Sequence, residues 1–363
     1  MRNLGEDHPL FKEQLKNQIS TNKEILFLSM EQVVECGGGD VTLAAQDIQR
    51  AFELFGQGEI IQPPKTTLKV TTKGAEQGTG LVNFLPAYVN FDGDEIYSVK
   101  ALGAMPSNVQ NGVPRATGLI TLFDSKTKSP LCIMDAQVIS ATRTGAVSLL
   151  AAKKFVRPDV EEIGMVGAGV NMRTQLLGIK AAIPGLKKVR VHSRGESKYR
   201  FAIEMSERTG LEIIPVDTAK EAVSGLDMIV TCLPNVSQPV VMSDFVKSHG
   251  VTVFNIGCYE CEDTLLKRMD RVVADIWEQG KHRGAQTHAI AVKNGVINEN
   301  MVEDLAPVLT GKKPGRLTKD ENIFFCPTGL GFEDAVVAWR VYNRAKKLGL
   351  GTKLDLWKTP KWI

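Results

Sequence analysis

The sequence predicts an α/β protein in which a doubly wound parallel sheet is joined to a second, α+β region with antiparallel strands. Three observations carry that prediction. Residues 61–135 run as short apolar stretches broken by Gly, Pro, Asn and Asp turns, the pattern of paired strands. Beyond residue 160, apolar strands alternate with helical stretches, as in a parallel sheet with crossover helices. Gly167-Ala168-Gly169 sits between the first of those strands and the helix that follows, the place of a Rossmann-type nucleotide turn.

In chain order, residues 1–23 read as a polar lead-in and EILFLS (24–29) as a strand. A helix from Met30 stops at Cys36-Gly37-Gly38-Gly39. Asp40 is placed to cap a second helix, whose Leu43, Ala44, Ile48, Ala51, Phe52 and Phe55 recur at helical spacing. The strands TTLKVTT, LVNFLPAYVN, EIYSVKAL, ATGLITLFD and PLCIMDA follow, with FDSKTKSP as a hairpin connection. The Ala-rich VISATRTGAVSLLAAKKF reads as a helix ending before Pro158. The alternating part then gives strands EEIGMVG, KKVRVHS, LEIIPVD, DMIVTCL and VTVFNIG, with helices between the first four. FFCPTGLGFEDAVVAWRVYNRAKKLGLG closes the pattern with a strand, a Gly turn and a long amphipathic helix capped by Gly349 or Gly351.

Composition narrows the partners. Lys plus Arg number 44 and Asp plus Glu 41, a net charge of +3, which gives no electrostatic reason to expect nucleic acid or anionic lipid. No apolar run approaches the ~20 residues of a membrane helix, and the charged N-terminus lacks an apolar signal core. Six Cys in 363 residues suit a reduced, cytoplasmic protein and are too sparse for a disulfide scaffold.

The chemistry-bearing residues come next. Gly167 and Gly169 let backbone N–H groups approach a pyrophosphate at a helix start, with Met172 where the usual third Gly stands. An acid at the tip of the second strand would hold the ribose hydroxyls of NAD; here Ser193-Arg194 stands there, which suits the 2′-phosphate of NADP, with NAD as the alternative. Cys232, Leu233, Asn255 and Gly257, at the ends of later strands, join the cofactor-binding candidates. Lys100 stands at the end of an otherwise apolar strand, where an edge position or snorkelling to solvent is the ordinary reading. Lys65 follows Gln62-Pro63-Pro64, and Arg143 lies on the helix leading into the nucleotide fold. Glu260, at a strand end facing the sheet's crevice, is a candidate proton carrier. Cys258-Tyr259-Glu260-Cys261 has no second pair to complete a zinc site, and His282 and His288 are not spaced as helical ligands, so no metal is expected. Lys312-Lys313 reads as a solvated turn.

Taken together, QPPK (62–65), YSVKALG (97–103), ATRTGAVS (141–148), VGAGV (166–170), FNIG (254–257) and GLGFEDAVVA (329–338) resemble the ornithine cyclodeaminase/mu-crystallin family over residues 24–357. QPPKTTL and the tail VVADIW…LTGKKPGR…PTGLGFED look closest to its N-(1-amino-1-carboxyethyl-2)-glutamate dehydrogenase branch, which cleaves an opine-like adduct to 2,3-diaminopropionate and 2-oxoglutarate. The resemblance implies a Rossmann NAD(P)-binding domain over 141–326. It implies a substrate-binding and dimerisation domain from 1–140 plus 327–363, and hence a homodimer. It implies that Lys100 is the catalytic lysine and, with Lys65, holds the substrate carboxylate. Arg143 falls to both substrate and nucleotide, Thr144 to nucleotide, and Val170 and Asn171 to the pyrophosphate turn. Family members have a catalytic Asp in a Gly-Gly-Asp context; one alignment puts Tyr259 there and another Glu260. The implied activity is an NAD(P)-dependent oxidoreductase working on a C–N bond α to a carboxylate, in an amino acid, its imine or an opine-type N-carboxyalkyl amino acid, with an amino acid, keto acid or imine as the small-molecule partner. Ornithine cyclodeamination to proline and ligand binding without turnover stay open as alternatives.

Overall fold

The computed structural model describes residues 22–69, 80–234 and 236–359. Most of the expected lead-in, and the second half of TTLKVTT, lie outside them. The first half of the chain contributes β1 (Lys23–Leu28), α1 (Met30–Glu35), α2 (Val41–Phe55), β2 (Ile60–Ile61), β3 (Thr66–Lys69), β4 (Leu81–Phe91), β5 (Asp94–Ala104), β6 (Ala116–Phe123), β7 (Pro130–Asp135) and α3 (Gln137–Phe155). Asp40 caps α2 as its sequence requires: its Oδ1 accepts from Thr42 N (2.8 Å) and Leu43 N (3.1 Å). The apolar stripe then turns inward, burying Ala44, Ile48, Ala51 and Phe52. The FDSKTKSP connection closes through Asp124, whose N–H donates to Ser129 O at 2.9 Å.

The second half gives β8 (Glu162–Val166), α4 (Val170–Ala182), β9 (Lys188–His192), α5 (Ser197–Thr209), β10 (Glu212–Pro215), α6 (Ala219–Val223), β11 (Met228–Thr231) and β12 (Thr252–Asn255). β13 (Arg271–Ala274), α7 (Trp277–Arg283), α8 (Thr287–Lys293), β14 (Val302–Asp304), α9 (Leu305–Leu309), β15 (Ile323–Cys326), α10 (Gly331–Leu348) and β16 (Thr352–Trp357) complete it. These strands build two sheets. The first has the order β16-β1-β7-β6-β5-β4-β2, with β3 also on β4; its pairs are antiparallel apart from β1 with β7. The second is parallel throughout, in the order β10-β9-β8-β11-β12-β15-β13-β14. Its order reverses between β8 and β11, the switch point where such sheets open a ligand crevice at the strands' C-terminal ends.

α10 belongs to the first sheet although it lies near the end of the chain. Phe332 seats it between Phe52 (5.3 Å) and Phe55 (5.9 Å), and Gly349 ends it in the left-handed region at φ 68°. Because β15 is in the second sheet and α10 on the first, the loop between them, residues 327–330, crosses from one sheet to the other.

Some elements differ from the sequence reading. Lys100 is not at a strand end or on an edge: β5 runs on to Ala104 between β4 and β6, and Lys100 faces Leu85 and Ile120 in register. Residues 140 and 141, where the two regions were divided, fall inside α3. β13, β14 and β16 and the short helices α7–α9 were not anticipated; β16 returns to pair with β1 at the far edge of the first sheet.

Candidate active site

The nucleotide turn is built by close packing. Gly167 has φ +117°, and a Cβ on it would stand 2.2 Å from Cys232 O, so only glycine lets the turn lie against the end of β11. Gly169 precedes α4 without a side-chain cap, so the first N–H groups of the helix are open, and the space a Gly169 Cβ would enter is empty. Val170 is exposed beside them, and Asn171 lies on the first turn. A bare turn on a helix start, kept clear of side chains, fits the pyrophosphate of a dinucleotide.

At the tip of β9, Ser193 is nearly buried and shares a 2.7 Å hydrogen bond with Ser197 Oγ. Arg194 is exposed, and its guanidinium has no acidic partner among the described residues. The nearby Lys198 is already held by Asp217 at 2.5 Å.

Across the crevice, the first turn of α10 brings Glu333 and Asp334 to two cations, Lys100 of β5 and Arg143 of α3. Lys100, 1% exposed, places Nζ 2.5 Å from Asp334 Oδ2 and donates to Ser140 Oγ at 3.2 Å. Arg143 reaches the same acid through Nε (3.3 Å) and the neighbouring Glu333 through Nη1 (2.9 Å). Burial draws the Lys100 pKa down to about 8 against the pull of Asp334, and raises that of Glu333 to about 7 against the pull of Arg143. Buried charges persist only when paired, and here each cation shares its acids.

Lys65 is the exception. Its Nζ donates to Thr328 O at 2.9 Å, a neutral partner. Lys65 is half-buried, and desolvation of its ammonium, with the charges of Arg283, Arg143 and Lys100, pushes its pKa well below the lysine range, opposed by Asp275. Asp275 is occupied with the loop itself: its carboxylate accepts from Thr328 N (2.8 Å), Gly329 N (2.7 Å) and Ile276 N (2.8 Å). That grip turns Thr328 O toward Lys65. Between the two halves lies a cavity of about 130 Å³ whose walls include Arg143, Thr144, Asn171, Ile256, Thr328 and Glu333.

Glu260 lies elsewhere than a free crevice acid would. Its side chain is fully buried: Oε2 accepts from Thr231 Oγ1 (2.6 Å), Asn255 Nδ2 (2.9 Å) and Gly257 N (3.1 Å), and Oε1 accepts from Leu233 N. Burial raises its pKa to about 7, opposed by these donors. Asn255 is equally committed, taking Thr287 Oγ1 on its Oδ1 at 2.5 Å, so neither side chain is free for a ligand. Half-buried Cys232 and Gly257 flank this knot. The chain reverses at Tyr259, which adopts φ 27°, rare for a residue with a side chain, and stays half-exposed. Cys258 and Cys261 are free thiols, and His282 is exposed while His288 is buried. Among the described residues no group of three His, Cys, Asp or Glu could hold a metal ion.

The structure thus sets Arg143, Thr144 and Asn171 on one cavity, links Lys65 to its wall through Thr328 O and buried Lys100 to Arg143 through Asp334, and commits the Glu260 and Asn255 side chains to partners elsewhere. Sequence reasoning missed Asp275, Thr328, Glu333 and Asp334. A signal existed for the last two: adjacent acids in the apolar run GFEDAVVA must find buried cations.

A model of the ornithine cyclodeaminase/mu-crystallin family matches residues 26–349. N-((2S)-2-amino-2-carboxyethyl)-L-glutamate dehydrogenase of Staphylococcus aureus is 26% identical, over 93% of this chain and 100% of its own length. Among solved structures, Thermococcus litoralis Delta(1)-pyrroline-2-carboxylate reductase in complex with NADH and L-proline superimposes with a TM-score of 0.83 at 29% identity, covering 91% of this chain and 100% of that one. An archaeal alanine dehydrogenase dimer with bound NAD gives 0.81 at 28% identity, covering 92% and 100%.

Proposed function

The chain belongs to the ornithine cyclodeaminase/mu-crystallin family, and we propose that within it the protein is a pyridine-nucleotide-dependent oxidoreductase. Its substrate on this reading is an amino acid, the corresponding imine, or an N-carboxyalkyl amino acid, reacting at the C–N bond next to a carboxylate. The observation that carries the reading is the contrast between half-buried Lys65, whose one hydrogen-bond partner is neutral, and Lys100 and Arg143, already matched by Asp334 and Glu333. A substrate carboxylate bound beside Lys65 would offset the cations that lower its pKa and hold it as the ammonium.

Lys65 binds that carboxylate and fixes the α-carbon in the crevice. Positioning of this kind is worth up to ~7–11 kcal/mol of barrier. Lys100 keeps one N–H beyond those given to Asp334 and Ser140, and on this reading that N–H serves the substrate nitrogen. Nicotinamide, when bound, gives a hydride to the imine carbon or takes one from the amine carbon. In reduction Lys100 gives the proton that completes the amine; in oxidation it takes that proton back, with Asp334 steadying the ammonium form. Glu260, its oxygens filled, ties the loops after β11 and β12 instead of carrying a proton.

The turn at Gly167–Asn171 and the wall at Thr144 hold the dinucleotide. NADP is the assigned form, supported by Arg194, free of acidic partners at the tip of β9 where NAD enzymes keep an acid. Residues 1–140 and 327–363 are assigned to substrate and dimer contacts, and 141–326 to the nucleotide; the sheet membership of β15 and the packing of α10 support the division. A homodimer is supported by the outer face of the first sheet, where Val82, Leu119, Leu354 and Leu356 stay exposed. Six free thiols suit a cytoplasmic setting.

A screen of cyclic imines and of 2-oxo acid–amine pairs, followed by NADPH absorbance, tests the reading. Consumption of NADPH with at least one such substrate, lost in Lys65→Met, supports it. Turnover unaffected by Lys65→Met overturns the carboxylate assignment.

A further inference from the structure

Residues 62–65 carry Lys65 but belong to no strand, and Pro63 and Pro64 have no N–H with which to join one. This loop is held by contacts from distant parts of the chain. Gln62 Oε1 accepts from Phe332 N at 3.1 Å, in the first turn of α10. Gln62 O accepts from Nε2 of Gln279 at 3.2 Å, a buried residue in the first turn of α7. Lys65 Nζ donates to Thr328 O at 2.9 Å.

The strap Thr328–Gly329 is held from the same side. Asp275, fully buried, directly follows β13 and leads into α7, the helix of Gln279. Its Oδ2 accepts from Thr328 N (2.8 Å) and Gly329 N (2.7 Å), and its Oδ1 from Ile276 N (2.8 Å). Gly329 has φ +81°, and a Cβ on it would stand 2.4 Å from Arg143 Nη1, so the strap lies directly on that guanidinium. The contacts close a ring: Asp275 holds Thr328, Thr328 holds Lys65, and the Lys65 loop is held in turn by Gln279. A long side chain is costly to order, and one carbonyl fixes it only if that carbonyl is itself fixed.

We propose that Asp275 and Gln279 are positioning residues for Lys65: from the end of β13 and the start of α7 they fix loop and strap against each other, so that the second sheet sets where the ammonium stands. That this placement serves a substrate carboxylate rests on the reading given above.

Trace acetylation of the NADPH-loaded protein with acetic anhydride, mapped by mass spectrometry, reads the placement without any substrate. In Asp275→Asn an amide meets N–H donors that now find an oxygen, and in Gln279→Leu the loop loses its donor. Each variant is expected to acetylate Lys65 about fivefold faster than wild type, the worth of one net hydrogen bond, while exposed Lys187 and Lys346 change less than about twofold. Lys65 unchanged in both variants, or all lysines accelerated alike, overturns the proposal. Should Asp275→Asn not fold, Gln279→Leu decides.

Kinetics with 1-pyrroline-2-carboxylate separate the proposal from the Lys65 reading. KM is expected to rise about tenfold in Lys65→Met and about fivefold in Asp275→Asn, with kcat of the latter within about twofold, and no further when the two are combined. Additive changes overturn the route through Lys65. Faster Lys65 acetylation in the two variants, with KM unmoved in Lys65→Met, keeps the positioning and overturns the carboxylate role.

Discussion

Lys100 and Asp334 meet at 2.5 Å with both side chains closed to solvent, one from the middle of β5 and the other from the first turn of α10. Asp334 also holds Arg143, so one acid is shared by both cations, with Glu333 as a second partner of Arg143. Burial outweighs that acid and leaves Lys100 with a pKa of about 8, close enough to neutrality to give and take a proton.

The pH profile follows. For imine reduction, kcat/KM is expected to fall as pH rises through about 8, because Lys100 gives its proton only as the ammonium; oxidation runs the opposite way. Lys100→Met should lower turnover by roughly 10²–10⁴-fold and remove that limb. The same shift has a stability consequence. Between about 8 and the ordinary 10.5, the unfolded chain holds a proton that the folded one lacks, so stability rises with pH in that window. Denaturant melts of wild type and Lys100→Met across it should differ in slope. A limb that persists in the variant assigns the proton to another group.

Glu260→Gln is expected to act on structure. An amide would turn an N–H toward donors that now find an oxygen, leaving at least one unpaired at about 1–3 kcal/mol. Thermal stability and nucleotide affinity should drop, while the residual activity keeps the wild-type pH profile. Loss of a limb of that profile, with the melting temperature unchanged, would return the proton-carrier role to Glu260. Tyr259→Phe should be close to wild type in both.

Arg194→Ala should weaken NADPH binding by roughly 10–100-fold, the worth of a charge-assisted phosphate contact of about 1.5–3 kcal/mol, with little effect on NADH. Fluorescence titration with the two nucleotides reads it. Wild-type protein that binds NADH tenfold tighter than NADPH contradicts the NADP assignment.

The outer face of the first sheet should hold the dimer together. Leu119 and Ala101 are partners in register, and Leu354 lies opposite Ile25, so apolar side chains run across several strands. Leu119→Glu combined with Leu354→Glu is expected to shift the light-scattering mass from dimer to monomer. A wild-type monomer at micromolar concentration sinks the proposal.

How much of this was legible in the sequence depends on distance along the chain. Local signals read well: the Asp40 cap and its apolar stripe, the turns between β4 and β7, and the Gly-x-Gly between β8 and α4 are each decided by neighbouring residues. Lys100 was placed in the right strand but at its end, because nothing local says that β6 will cover it. Its partner Asp334 is on a helix far along the chain, and their meeting depends on the crossing of residues 327–330 between sheets. In sequence Glu260 looks like an open acid because the strand tip is visible there, whereas the reversal at Tyr259 that turns the carboxylate inward is not. Thr352–Trp357 alternates polar and apolar residues but is short and exposed, and its strand character comes from pairing on β1, which its own residues do not reveal.

The most direct measurement puts one purified protein through two assays: NADPH consumption with a cyclic imine carboxylate or a 2-oxo acid–amine pair, and ammonia release from ornithine with nucleotide bound. One NADPH is expected to be consumed for each C–N bond reduced, with no ammonia released from ornithine. Proline and ammonia formed from ornithine with no net change in nucleotide, and no NADPH consumed with any imine, would contradict this expectation.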